Sequence, residues 1–295
     1  MNDSLVQKQA AMTQRLVEFT TTSGVIRGFE TGADCPRKIL AVHGWLDNAA
    51  SFLPIAPLID DAHLVMIDLP GHGHSDYRPP GVRYYLVDYL FEIVEVLDQL
   101  GWQKFNLLGH SLGAGILTLL AAAMPDRIHS LCLIDGIGPI SGREEDASAR
   151  LRRAINTQTT ISSKAHGVHK TVESAVAARL RATTMHEASA RLIVERNIVP
   201  TDGGFTWRTD RRVTMTSPLY LTESLVQAFL GDIVCPVLLV RAEQGILKDR
   251  ASTDVRIGCV RDIEVVDIPG DHHVHMDDPQ RVATALNSFL AYANS

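Results

Sequence analysis

A chain of 295 residues, 45% hydrophobic and 21% charged, can bury a sizeable core, enough for one large α/β domain or a core carrying an insertion. Its formal net charge of −6, with no basic run, points away from nucleic acid and anionic membranes and toward a small-molecule partner. The four cysteines, Cys35, Cys132, Cys235 and Cys259, lack Cys-x-x-Cys spacing and read as reduced structural thiols.

Residues 1 to 15 carry Asp3, Lys8 and Arg15 without the apolar stretch of a secretory signal, which predicts a polar helix or loose arm on a cytoplasmic protein. Leu16 to Thr31 holds two alternating runs about Thr22, Ser23 and Gly24, the pattern of an antiparallel hairpin. Lys38 to Val42 is an apolar strand that ends in His43-Gly44-Trp45-Leu46; a short helix is expected from Ser51, and His63 to Ile67 is the next buried strand. That strand opens into Asp68 to Ser75, where Pro70, Gly71 and Gly73 force a turn. Tyr84 to Leu100 predicts an amphipathic helix, with Leu86, Tyr89, Leu90, Ile93, Val96 and Leu97 on one face and Asp88, Glu92 and Glu95 outside it.

Lys104 to Met124 reads as strand, tight turn and helix, with Ser111 at the apex of Gly109-His110-Ser111-Leu112-Gly113. A serine there needs bare neighbours two positions either side so that strand and helix can approach closely, and Gly109 and Gly113 meet that need. The helix from Leu112 aims free N–H groups and its positive end at the serine oxygen, where charge develops during acyl transfer. G-x-S-x-G also occurs as an ordinary Gly/Ser turn, so its context decides. The run Leu112 to Met124 is too short to span a bilayer.

Ile128 to Ile134 is another buried strand, ending at Asp135 and Gly136. From Pro139 to about Thr222 the strand signal disappears and helical windows such as Val172 to Val199 take over, an inserted helical cap whose aromatic residues come late, at Phe205, Trp207, Tyr220 and, just beyond, Phe229. Strands return at Pro236 to Val240 and Ile263 to Ile268, and a terminal helix runs from about Pro279 to Ala293. This rhythm predicts an α/β fold, a mostly parallel doubly wound sheet with helices on both faces, and its polar clusters fall at the carboxyl ends of strands, where such sheets place their sites.

A serine hydroxyl needs a base oriented by a carboxylate. The strand at 263 to 268 runs into Pro269-Gly270-Asp271-His272-His273-Val274-His275, rich in candidates for the base. Asp271 with three nearby histidines could instead bind a metal, but adjacent ligands splay apart.

His43-Gly44-Trp45, the Asp68-to-Ser75 loop, Gly109 to Gly113, and His272 with Pro279 seven residues later, in this order, resemble the α/β-hydrolase superfamily. The likeness is to its lidded serine hydrolases of the esterase type, including the serine hydrolase-like proteins. It covers about residues 16 to 138 and 232 to 295, and divides the chain into a core over 1–138 and 232–295 with a cap insertion over 139–231.

The family pattern Gly-x-His followed by acid-acid-Pro implies His272 as the base ahead of His273, with Asp277, Asp278 and Pro279 leading into the last helix, and His275 as a loop or supporting residue. It also implies the amides of Trp45 and Leu112 as the oxyanion hole, although Trp45 could be only a pocket wall or core aromatic. His43 braces its loop, and Asp68, His72, His74 and Ser75 read as loop scaffolding. The family's usual acid position, after the penultimate strand, is Gly245 here. Asp135 stands where some relatives, including certain haloalkane dehalogenases, carry their acid; as alternatives, it caps a turn and Glu243 or Asp249 serves.

The resemblance thus implies a cofactor-free serine hydrolase acting on a small-molecule ester through Ser111, His272 and Asp135. Related reactions on the same triad are carbon–carbon bond, thioester or lactone cleavage. Haloalkane dehalogenase and epoxide hydrolase chemistry would need a carboxylate at position 111. Gly245 leaves room for a rival reading, a non-catalytic ligand-binding protein.

Overall fold

The alternating runs about Thr22 and Ser23 pair as an antiparallel hairpin, β1 (Arg15–Thr21) with β2 (Gly24–Thr31). The computed structural model describes residues 14–161 and 166–293, so the arm expected over residues 1 to 15 lies almost wholly outside them. The remaining strands are β3 (Arg37–Val42), β4 (Ala62–Ile67), β5 (Phe105–His110), β6 (Ile128–Ile134), β7 (Ile198–Thr201), β8 (Gly204–Trp207), β9 (Val237–Ala242) and β10 (Ile263–Ile268).

Eight of them form one sheet in the order β1-β2-β4-β3-β5-β6-β9-β10, antiparallel only at the β1–β2 and β2–β4 pairs. Central strands β4 and β5 are buried throughout, as apolar runs in a parallel sheet covered on both faces must be.

Side chains alternate between two apolar layers. Leu40, Val42, Leu107, Leu131 and Leu239 point toward α1 (Asp88–Leu100), α2 (Leu112–Ala123) and α6 (Glu223–Gly231). Ile39, Ala41, Leu108, Ile134 and Val240 point toward the C-terminal helix α9 (Pro279–Ala293) and the 3₁₀ turns at Ala49–Phe52 and Ala56–Leu58. Those turns replace the short helix expected from Ser51, because Pro54 and Pro57 deny an α-helix its amide donors.

The predicted helix from Tyr84 begins at Asp88, and Glu92, expected outside its apolar face, is buried. The Arg78 guanidinium, itself 2% exposed, meets the Glu92 carboxylate at 2.8 and 2.6 Å and lies over the rings of Tyr84 and Tyr89. A pattern read along one helix does not see a cation supplied by the preceding loop.

Adjacent strands β6 and β9 are separated by an excursion of about a hundred residues. It carries α3 (Ala147–Ile161), α4 (Val172–Ala182), α5 (Glu187–Asn197), the two-stranded β7–β8 sheet and α6, and is followed, after β9, by α7 (Arg250–Ile257) and α8 (Val274–Asp277). The loss of strand signal expected over this stretch is therefore incomplete. Asp202 and Gly203 make a two-residue turn between runs of β-branched and aromatic residues, and Gly203 takes φ 83°, which a side chain would resist.

Ala175 and Val176 of α4 and Ala190, Ile193 and Val194 of α5 form a separate apolar cluster with Met276 of α8. The excursion is thereby seated on the loop that carries the histidines. Val226 and Leu230 of α6 belong instead to the layer under α2. Among the described residues no helix is long and apolar enough to cross a membrane.

Candidate active site

Ser111 sits between β5 and α2 with φ 51° and ψ −111°, a strained conformation that the flanking contacts hold in place. Its N–H donates to the Ile134 carbonyl at 3.0 Å, and the N–H of Gly113 donates to the His43 carbonyl at 3.1 Å. The spacing of the two glycines has a steric cause. A Cβ at Gly109 would lie 2.7 Å from the Ala114 backbone, and one at Gly113 would collide with the carbonyl of Val42.

The loop after β10 brings His272 to this turn. Its Nε2 is 2.9 Å from Ser111 Oγ, and its Nδ1 is 2.6 Å from Asp135 Oδ2. A carboxylate accepts, so Nδ1 carries the proton and Nε2 is left to receive the serine O–H. Asp135 ends β6 with φ 42°, wholly buried, and its N–H donates to the Val240 carbonyl at 2.8 Å. The Ile246 amide donates to Oδ2 at 2.9 Å, so the shared oxygen is held from two sides.

Gly245 leaves room for the Asp135 carboxylate. A Cβ there would collide with both carboxylate oxygens of Asp135, so the loop after β9 is bare where the resemblance implies an acid, and the Asp135 carboxylate fills that space. Glu243 and Asp249 are exposed, and Asp249 accepts from the Ser252 hydroxyl at 3.0 Å. Among the described residues the carboxylate on His272 is Asp135.

Leu112 is the first residue of α2, so its amide has no intrahelical acceptor. Trp45 is 53% exposed and its indole N–H donates to the Val213 carbonyl at 3.2 Å, which rules out a core role for the ring and ties it to the excursion. His43 braces this region: Nδ1 donates to the Gly44 carbonyl at 2.8 Å and Nε2 accepts from the Leu69 amide at 2.9 Å. Burial lowers its pKa and keeps it neutral, as this bond pattern requires.

Asp68 accepts from the amides of Ala49 and His74 and from Arg196 of α5 at 2.7 to 3.0 Å. Ser75 donates to the Asp68 carbonyl, and burial holds the His72 pKa down at about 3. These four loop residues are scaffolding for the chain between β4 and α1.

Sequence reasoning passed over a second polar cluster beneath the histidine. Asp47, 1% exposed, accepts from Arg179 of α4, has His273 Nε2 at 3.1 Å and faces His110 Nδ1 at 3.4 Å. Although burial alone would raise its pKa, His273 and Arg179 hold the carboxyl well below the usual range. His273 thus turns away from Ser111, and His275 is buried against the rings of His110 and Phe52.

The donor atoms of Asp47, His110 and His273 lie within 4.8 Å of one another, a possible metal grouping that does not include Asp271. The Arg179 guanidinium on the same carboxylate, 3.4 Å from His273 Nε2, already supplies the positive charge there. An acid in the apolar stretch after Trp45 was a readable hint of Asp47; nothing in the helical pattern marks Arg179.

The profile of the alpha/beta hydrolase fold family matches residues 38–279. A serine hydrolase-like protein of Dictyostelium discoideum is 32% identical over 86% of this chain and 75% of its own. The 2-(acetamidomethylene)succinate hydrolase of Mesorhizobium japonicum is 29% identical over 85% of this chain and 87% of its own. A crystal structure of a hypothetical protein from Pseudomonas aeruginosa PAO1 superposes with a TM-score of 0.88 at 38% identity, covering 94% of this chain and 98% of that one. With a nucleophile-type turn, a parallel sheet and likeness along most of its length, this chain belongs to the α/β-hydrolase superfamily, among its serine hydrolase-like proteins.

Proposed function

We propose that the protein hydrolyses a carboxylic ester of a small molecule through an acyl-enzyme on Ser111. The observation that carries this reading is the unbroken chain of short contacts from Ser111 Oγ through the His272 ring to the buried Asp135 carboxylate. His272 Nε2 takes the serine proton as Oγ attacks the ester carbonyl, and Asp135 holds the ring and stabilises its positive charge. The amides of Trp45 and Leu112 receive the oxyanion, aided by the positive end of α2. The proton then passes from Nε2 to the leaving alcohol, and water, deprotonated by the same nitrogen, releases the acid and regenerates Ser111. The excursion over 139–231 acts as the cap that encloses the acyl group.

Likeness to the 2-(acetamidomethylene)succinate hydrolase favours a second reading, hydrolysis of a bond other than an open-chain ester, such as a carbon–carbon bond, thioester or lactone, on the same three residues. A panel of p-nitrophenyl butyrate, a butyryl thioester and a butyrolactone, each run with wild type and Ser111→Ala, separates the readings. Ester turnover at least tenfold above the others and abolished in Ser111→Ala supports the first; preference for the thioester or lactone moves the assignment to the second. Full ester turnover by Ser111→Ala removes both.

A further inference from the structure

Three segments of the proposed site meet on one buried carboxylate. Asp47 lies two residues after Trp45, His110 directly precedes Ser111, and His273 directly follows His272; all three are at most 2% exposed. The Asp47 carboxylate has His273 Nε2 at 3.1 Å and His110 Nδ1 at 3.4 Å. The far nitrogen of His110, Nε2, lies 3.0 Å from the main-chain oxygen of His272. Asp47 thus ties the oxyanion loop to the base loop through His273, and His110, whose ring also packs against the His272 ring with centroids 4.6 Å apart, ties the nucleophile turn to the base loop.

The countercharge comes from elsewhere. Arg179 of α4 reaches down from the excursion, donating from Nη2 to Asp47 and from Nη1 to the Leu46 carbonyl at 3.2 Å. A carboxylate taken out of water keeps its place only while its cation stays. The excursion grips the same region twice more: Asn48 donates to the Ile193 carbonyl at 2.8 Å, and Asp277 accepts from the His186 amide at 3.1 Å.

We propose that Arg179, acting through Asp47 and His273, is a positioning residue that makes catalysis by Ser111 conditional on helix α4 being seated over the core. With α4 seated, Asp47 is neutralised, the turn at Leu46 is fixed, and Asp47 holds His273, and with it the neighbouring His272, in place. With α4 lifted, a buried carboxylate loses its cation, and the loops bearing Trp45 and His272 relax away from Ser111. The inference rests on the reading of Ser111 as nucleophile.

The test measures the rate at which a fluorophosphonate labels Ser111, with kcat and KM for p-nitrophenyl butyrate, in wild type, Arg179→Ala, Arg179→Lys, Asp47→Asn and the Arg179→Ala/Asp47→Asn pair. Labelling rate and kcat are expected to fall about 10- to 100-fold in Arg179→Ala, with KM changed less than about twofold. Arg179→Lys loses less, added guanidinium ion restores part of the Arg179→Ala rate, and the double variant falls no further than the worse single one.

A folded Arg179→Ala that labels within about twofold of wild type overturns the inference, as does a loss carried by KM alone or losses that multiply in the double variant. Should Arg179→Ala fail to fold, Arg179→Lys decides by the same rates, its wild-type labelling overturning the inference. A wild type that takes no label on Ser111 removes the nucleophile itself, an outcome distinct from wild-type labelling that Arg179 does not influence.

Discussion

At position 245 the absence of a side chain leaves room for the carboxylate of Asp135, the residue that follows β6. A methyl group there has no room beside the Asp135 carboxylate, whose two oxygens it would strike. Gly245→Ala is therefore expected to push Asp135 off His272 and lower kcat by about 10- to 100-fold, and to lower the melting temperature as well, because the clash falls between buried groups. Steady-state kinetics beside a thermal melt check this; unchanged kcat would mean the loop yields instead of the acid.

Ser111 and His272 were legible because elbow and acid-acid-Pro spacings are local, and Asp135 because it closes a buried strand beside the elbow strand. The meeting of Asp47, Arg179 and His110 was not, since it depends on residues 132 apart in the chain and on a helix whose register against the core no pattern states.

Among elements, the parallel core was legible from runs of apolar residues, and β6, β10 and the C-terminal helix occupy the ranges expected of them. The excursion was read less well, since the β7–β8 hairpin is only four residues a side and half-buried, and a weakly buried strand leaves no clean alternation. Its attachment is polar as much as apolar.

Arg196 of α5 gives the Asp68 carboxylate three contacts at 2.7 to 3.0 Å and lies 4.0 Å over the Phe29 ring. Arg196→Met would leave Asp68 buried without its cation, held only by two amides, and is expected to destabilise the fold by about 3–5 kcal/mol. Urea unfolding reads this directly; a loss below about 1 kcal/mol would show that the amides suffice.

Across the whole molecule, burial keeps a set of imidazoles neutral. It lowers the pKa of His43, brings His72 to about 3 and His110 to about 4, and puts His275 well below its ordinary value, with neighbouring imidazoles adding to the effect at the last three. In the unfolded chain these rings bind protons near pH 6.5. Between about pH 6.5 and 4 the unfolded state thus holds more protons than the folded one, so stability falls as pH falls, by about 1.4 kcal/mol per pH unit for each excess proton. Asp47, with its depressed pKa, adds stability that is present above the ordinary carboxylate range and is lost only below it, outside this window. Melting temperature at constant ionic strength is expected to drop from pH 7 to pH 5; a flat profile would mean that water reaches these rings.

The most direct test of the proposed chemistry compares p-nitrophenyl butyrate turnover and fluorophosphonate labelling in Asp135→Asn and in the pair Glu243→Gln/Asp249→Asn. If the Asp135 carboxylate orients His272 toward Ser111, Asp135→Asn loses about 10⁴-fold in kcat while the loop pair stays within about twofold of wild type. Collapse in the loop pair with Asp135→Asn still active would contradict it, placing the acid after β9 and leaving Asp135 a turn cap.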